Sequence, residues 1–199
     1  MLIAFEGIDG SGKSTQAAML GAWLKGQGHE VVMSKEPTHG PWGTKIRQSF
    51  FTQRLSAKEE LECFVNDRKE HVETLITPAL ARGAVVIVDR YYYSTVAYQG
   101  ARGLDATEVL HLNRAFAPKP DVVFVVDLDP RVALERISAG RAGGRDLFEN
   151  LEEQLRVRAA FAELLKTEPH LVMIDGTQSV EQMHERIVSE VRSKLGRPA

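Results

Sequence analysis

Gly7-Ile8-Asp9-Gly10-Ser11-Gly12-Lys13-Ser14 has the spacing G-x-x-x-x-G-K-[ST], and each part of that spacing suits a polyphosphate. Glycines let successive backbone N–H groups turn inward around an anion. A helix opening at the end of the loop points its positive pole at the same anion. Lys13 can bridge β- and γ-phosphates, and Ser14 can offer an oxygen to Mg²⁺. A chance glycine turn would not need a strand before it and a helix after it, and both are predicted here. The motif names a nucleoside triphosphate and Mg²⁺. It does not name the acceptor, because GTPases, ATPases and small-molecule kinases all use it.

Three further groups bear on the acceptor. Leu61, Phe64, Val65, Arg68, Val72, Leu75 and Ile76 share one face of a predicted helix. Arg68 occupies a slot where an apolar residue is expected. A buried guanidinium is costly unless it is partnered or lines a cavity. Phe64, one turn earlier, is within its reach. An aromatic plate beside a donor fork suits a planar base with carbonyl acceptors, such as thymine, and rejects the amino group of cytosine. A core Phe64 and an Arg68 reaching a surface carboxylate fit the helix pattern equally well. Asp89-Arg90-Tyr91 closes a buried strand, and ligands of open α/β sheets bind at such carboxyl ends. Asp89 can hold a water of the Mg²⁺ shell, and Arg90 can grip an acceptor phosphate bidentately. Arg136, Arg141 and Arg145 flank Gly140, Gly143 and Gly144. That composition predicts a lid at about 136–149 that brings arginine onto the transferring phosphate.

The elements that must position these groups follow from periodicity. Residues 84–88 and 122–126 are short apolar runs that read as strands buried on both faces. Residues 2–5 and 171–174 look similar, and 30–34 is a fifth candidate. Helices are predicted over 13–25, 43–53, 57–82, 92–101, 105–115, 130–139, 149–167 and 179–195. Alternating strands and helices predict an α/β fold: a single doubly wound domain over 1–199 with a five-stranded parallel sheet, helices on both faces and a short lid.

Composition narrows the classes. The 199 residues suit one domain without staples. A formal net charge of −2 argues against a general nucleic-acid binder. The only cysteine is Cys63, so no intrachain disulfide forms and a reducing, cytoplasmic setting is expected. It falls among apolar helix positions and reads as a core thiol. The first seven residues show no signal-peptide pattern, and the apolar runs are too short to span a bilayer. The six histidines show no zinc spacing.

Taken together, the run Phe5-Glu6-Gly7-Ile8-Asp9-Gly10-Ser11-Gly12-Lys13-Ser14-Thr15-Gln16, the pair Phe64-x-x-x-Arg68, the run Asp89-Arg90-Tyr91-x-x-Ser94-x-x-Ala97-Tyr98-Gln99-Gly100 and Pro118-Lys119-Pro120-Asp121 resemble the thymidylate kinases. The resemblance runs in order from residue 1 to about 180. It implies transfer of the γ-phosphate of ATP to thymidine monophosphate (dTMP), with Mg²⁺. Gly7 to Thr15 would hold ATP, with Arg136 stacked on adenine and Gly176 and Gln178 beside it. Asp9 would meet the sugar 3′-hydroxyl and the phosphate region. Phe64 would stack on thymine, and Arg68 would bond its carbonyl. Arg90 would hold the acceptor phosphate with Arg47 assisting. Ser94 and Gln99 would line the base pocket, Tyr98 would disfavour a 2′-hydroxyl, and Glu36 and Pro37 would lie on the acceptor side. Catalysis would rest on Lys13, Asp9, Arg90, Arg141 and Arg145, with Ser14 and Asp89 serving the metal. A homodimer is also implied.

Two departures stand out. The family commonly reads Asp-Arg-aromatic-Glu at the lid's end, whereas Asp146-Leu147-Phe148-Glu149 puts leucine in the arginine slot, leaving Arg145 or Arg141 to substitute. After the second strand Lys35-Glu36-Pro37-Thr38-His39-Gly40 replaces the usual Arg-Glu-Pro-Gly-Gly. Two rival readings remain. A deoxyribonucleoside kinase would use Glu36 as a base on thymidine itself. A nucleotide-binding switch without kinase activity would leave Asp9, Phe64 and Arg68 without a purpose.

Overall fold

In the computed structural model, which describes residues 1–140 and 151–195, three apolar runs form the centre of the sheet. These are β1 (Leu2–Glu6), β3 (Val85–Asp89) and β4 (Val122–Asp127), all but fully buried. The edge strands β2 (Val31–Lys35) and β5 (Leu171–Asp175) are partly exposed, which is why their sequence patterns are weaker. All pairings are parallel, in the order β2-β3-β1-β4-β5. The expected doubly wound five-stranded sheet is therefore present.

Successive strand side chains point to opposite faces, so each central strand feeds two cores. Leu2, Ala4, Val86, Val88, Val123 and Val125 face one way. They pack on α4 (Thr77–Ala81), α5 (Tyr92–Ala101), α6 (Ala106–Arg114) and α8 (Leu151–Thr167). Ile3, Phe5, Val85, Ile87, Val122, Phe124 and Val126 face the other way, against α1 (Lys13–Gly26) and α9 (Val180–Leu195). α2 (Pro41–Phe51) and α7 (Pro130–Gly140) complete the helices with α3 (Ala57–His71).

The helix predicted over 57–82 is one rod in three parts. Ser56 and Glu59 form a reciprocal capping box at its start. After α3 comes a π-helical turn, Val72–Ile76, and then α4. Pro78 accounts for the interruption: it cannot donate to the preceding turn, and its ring crowds the carbonyl four residues back. Cys63 is buried, as a core thiol would be. No helix among the described residues is long and apolar enough to cross a membrane. The lid residues Arg141 and Arg145, with Leu147, lie outside the described residues.

Candidate functional site

β1 ends at Glu6, and the phosphate loop bends directly into α1. The bend needs glycine. Gly7 has φ 130°, and a Cβ there would sit 2.5 Å from the Val126 carbonyl oxygen. Gly12, which caps α1, has φ 103°. Lys13 is buried, and its Nζ donates to the Ile8 carbonyl at 2.6 Å. Burial pushes the Lys13 ammonium down to about 7; Arg90 adds to the effect, while Asp9, Asp89 and Glu6 oppose it. The Ser11 hydroxyl is buried and has no hydrogen-bond partner among the described residues.

Ser14 donates its hydroxyl to Asp89 Oδ2, and Lys35 Nζ lies 3.2 Å from the same oxygen. Asp89 Oδ1 is buried without a hydrogen bond among the described residues. Burial opposes ionisation of Asp89, but Lys13, Ser14, Lys35 and Arg90 together hold its carboxyl below the usual range. An anionic oxygen with a free lone pair beside a serine hydroxyl is the hard-oxygen donor set that Mg²⁺ takes. The residues present therefore fit that ion.

Arg90 follows β3 with φ 69°, a left-handed conformation that only glycine adopts without strain. Its backbone N–H is held by the Phe5 carbonyl at 2.9 Å. Its guanidinium donates to Asp9 Oδ1 at 2.6 Å, Ser94 Oγ at 2.9 Å and Tyr98 Oη at 3.1 Å, and it lies over the Tyr98 ring. Partial desolvation raises the Asp9 pKa, but Arg90 and Lys13 outweigh it and hold the carboxyl well below the usual carboxylate range. Glu6 ties this corner together. It accepts from the backbone N–H of Tyr91 at 2.9 Å and of Ser94 at 3.1 Å, and from the Ser94 hydroxyl. Complete burial raises the Glu6 carboxyl to about 7 against those hydrogen bonds and Arg90.

A cavity of about 590 Å³, part of it open to solvent, runs from this corner. Asp9, Arg90, Ser94 and Tyr98 line it together with Glu36, Pro37, Phe50, Glu60, Phe64, Arg68, Tyr91 and Thr95. Phe64 and Arg68 both face it. Arg68 is 1% exposed and is held on every side. Its Nε donates to Glu36 Oε2 at 2.9 Å, and Nη2 donates to the same oxygen and to Thr95 Oγ1 at 3.0 Å. Nη1 donates to Asn113 Oδ1, and the guanidinium lies 5.4 Å from the Tyr91 ring centroid.

Two expected acceptor residues sit elsewhere. Arg47 is not in the cavity lining: it donates to the carbonyls of Pro37 at 2.9 Å and Thr38 at 2.5 Å, bracing the loop that carries Glu36. Gln99 is fully buried in α5, and its amide has no hydrogen bond among the described residues. Of the residues expected on the donor side, Arg136 donates to the Gly176 carbonyl at 3.1 Å, so α7 meets the turn after β5. Gly176 is tight: a Cβ would lie 2.7 Å from the Asp127 oxygen. Gln178 and Thr15 are both exposed.

Glu6, Glu60, Asp67, His71, Thr95 and Asn113 escaped the sequence reading. For Glu60, Asp67 and His71 a trace was present. Glu60, Cys63, Asp67, Arg68 and His71 are all buried on α3, at helical spacing. An inward stripe carrying four ionisable residues marks a polar lining more strongly than Arg68 alone.

The family model for thymidylate kinase matches residues 5–187. A thymidylate kinase of Xanthomonas oryzae pv. oryzae (strain PXO99A) is 51% identical over 204 aligned positions, covering 100% of this chain and 89% of that protein. One from Xylella fastidiosa (strain M12) is 48% identical, covering 98% and 90%. The crystal structure of thymidylate kinase from Ehrlichia chaffeensis superposes with a TM-score of 0.78 at 31% identity, covering 96% of this chain and 98% of that one. A phosphate loop opening onto an arginine-ended cavity, a model match over nearly the whole length and relatives near half identity agree: the chain belongs to the thymidylate kinase family.

Proposed function

We propose that this protein transfers the γ-phosphate of ATP to dTMP, giving ADP and thymidine 5′-diphosphate. The observation that carries the reading is Arg90, which is bonded to Asp9 of the phosphate loop and lines the same cavity as Phe64 and Arg68. A monophosphate is largely ionised near neutrality, with a second pKa of ~6, so it needs neutralisation and alignment more than a base. Arg90 supplies the neutralisation at the acceptor phosphate. Tyr98 and Asp9, both bonded to Arg90, are the residues this reading assigns to the sugar edge. Phe64 offers a ring to the base, and Arg68 offers an N–H to its carbonyl.

On the donor side Gly7 to Thr15 wrap the polyphosphate. Lys13 exchanges the Ile8 carbonyl for phosphate oxygens, and the anion restores its charge. Ser14 and Asp89 would hold Mg²⁺, which when bound neutralises charge on the donor phosphates. Arg136, Gly176 and Gln178 form the proposed adenine edge, with Arg141 and Arg145 of the lid as further phosphate ligands. An acceptor oxygen then attacks the γ-phosphorus, the bond to the β-bridging oxygen breaks, and ADP leaves. A cytoplasmic homodimer is part of the same proposal, supported by the family alone.

Phosphorylation of thymidine itself would need a base on its 5′-hydroxyl. Glu36 is the residue for that role, yet both its oxygens are engaged, Oε2 by Arg68 and Oε1 by His71. The test is Mg²⁺-dependent ADP release with dTMP, dUMP, thymidine and dCMP compared. Strong turnover with dTMP and little with thymidine or dCMP is expected. Preferential turnover of thymidine would overturn the reading.

A further inference from the structure

The Arg68 guanidinium has five N–H groups in a rigid fork. Four are spent within the described residues: two on Glu36 Oε2, one on Thr95 and one on Asn113. One N–H of Nη1 is left for a ligand. Which way it points depends on how the other four are held. Asn113 is fixed in turn, because its own amide donates to the Val109 carbonyl at 2.8 Å. Glu36 is the weaker link. It sits on the loop after β2, outside any helix or strand, and carries half of the Arg68 bonds on one oxygen.

His71 holds the other oxygen. It is the last residue of α3, where the π-helical turn begins, and is buried. Its Nδ1 lies 2.9 Å from Glu36 Oε1, and its Nε2 lies 2.7 Å from Ser34 Oγ on β2. With Nδ1 donating to the carboxylate, Nε2 accepts the serine hydroxyl, so every polar atom of the ring is used. The ring is thus fixed by the sheet at one end and fixes the carboxylate at the other.

We propose that His71, braced by Ser34, is a positioning residue for recognition of the acceptor base: by locking the Glu36 carboxylate it aims the remaining Arg68 N–H at a pyrimidine O4 carbonyl. The proposal rests on the dTMP reading above. It assigns His71 no contact with substrate. Its effect is carried through Glu36 and Arg68, so it belongs to acceptor binding and base choice, with the donor site untouched. Removing the ring leaves Oε1 buried with no donor, and the carboxylate turns to find one, taking Arg68 with it.

The test is steady-state kinetics on His71→Ala, His71→Asn and Ser34→Ala, with dTMP and dCMP as acceptors and ATP varied separately. A lost hydrogen bond to a charged group corresponds to roughly 10- to 100-fold in affinity. His71→Ala is therefore expected to raise the KM for dTMP about 10-fold or more and to narrow the dTMP-to-dCMP preference. The KM for ATP should stay within about 2-fold, because no donor-side group changes. His71→Asn, whose amide nitrogen can take the Nδ1 place, should recover most of the loss, and Ser34→Ala should give a smaller change in the same direction. If the wild type does not phosphorylate dTMP, the functional reading fails. If it does and His71→Ala loses only melting temperature, or loses kcat evenly for both acceptors, the positioning role is wrong and His71 is structural. Should His71→Ala not fold, Ser34→Ala decides, and an unchanged dTMP KM and base preference there overturns the proposal.

Discussion

Replacing Arg90 by alanine and, separately, by glycine divides its chemistry from its backbone. Both variants lose the guanidinium that now spans Asp9, Ser94 and Tyr98. In the proposed complex that group would make a charge-assisted, bidentate contact to the acceptor phosphate. Each such hydrogen bond is worth about 1.5–3 kcal/mol, so losing two lowers kcat/KM for dTMP by about 10²–10⁴-fold. The ATP dissociation constant should move less than about 3-fold, because the proposed layout puts Arg90 on the acceptor side of the loop. The backbone separates the two variants. At φ 69° alanine keeps a left-handed strain of about 1–2 kcal/mol that glycine lacks. Glycine's freer unfolded chain returns about 0.4–1 kcal/mol of that. The net is about 1 kcal/mol in favour of Arg90→Gly, or a melting temperature higher by roughly 2–4 °C than that of Arg90→Ala. Steady-state kinetics, nucleotide titration and a thermal melt read all three quantities. If ATP affinity falls as far as dTMP turnover, Arg90 belongs to the donor site and the proposed layout is wrong. If alanine melts higher than glycine, the strain is not there.

Phe64→Ala should weaken dTMP by about 10-fold or more through lost stacking, with ATP unchanged; equal losses on both would return Phe64 to the core. Lys13, pushed down to about 7 in the free protein, regains its proton when the polyphosphate arrives. Calorimetry at about pH 8 in buffers of different ionisation enthalpy should therefore show uptake approaching one proton per ATP, and no uptake there would refute the assignment. Glu6, raised from 4.5 to about 7, binds its proton more tightly when folded. That contribution to stability is complete below about pH 4.5 and is lost as pH rises through 7, by about 3 kcal/mol at most. Glu6→Gln removes it, so the melting temperature of the variant should gain on the wild type between about pH 5 and pH 8; parallel curves would show that Glu6 ionises normally.

What the sequence showed, and what it withheld, divides along a physical line. The central strands were legible because burial on both faces demands continuous apolar runs, as in Val85–Asp89 and Val122–Asp127. The phosphate loop was legible because only glycine meets its close backbone approach at Gly7 and its positive φ at Gly12. Sequence spacing cannot show which polar side chain faces which. Arg68 stood out by its apolar slot, but nothing in the spacing around Arg47 showed that it braces carbonyls of a loop while Arg68 lines the cavity. The partners of Arg68 come from the loop after β2, from α5 and from α6, and only folding brings them together.

That dispersal bears on how specificity is built. A guanidinium that reads one carbonyl has too many donors for its task, and each surplus N–H is a chance to accept the wrong base. Glu36, Thr95 and Asn113 remove the surplus, leaving a single direction. On the proposed reading, discrimination comes from what Arg68 can no longer do, because an amino group presented to a lone N–H sets donor against donor and leaves that N–H unpaired. The thymine methyl is a separate matter. It adds about 1–3 kcal/mol in an apolar pocket and would have to be read by aromatic rings of the lining such as Phe50, Phe64 and Tyr91. Base choice at the carbonyl and base choice at the methyl therefore rest on different residues. Substitutions at His71 or Asn113 should relax dTMP against dCMP while leaving dTMP against dUMP in place.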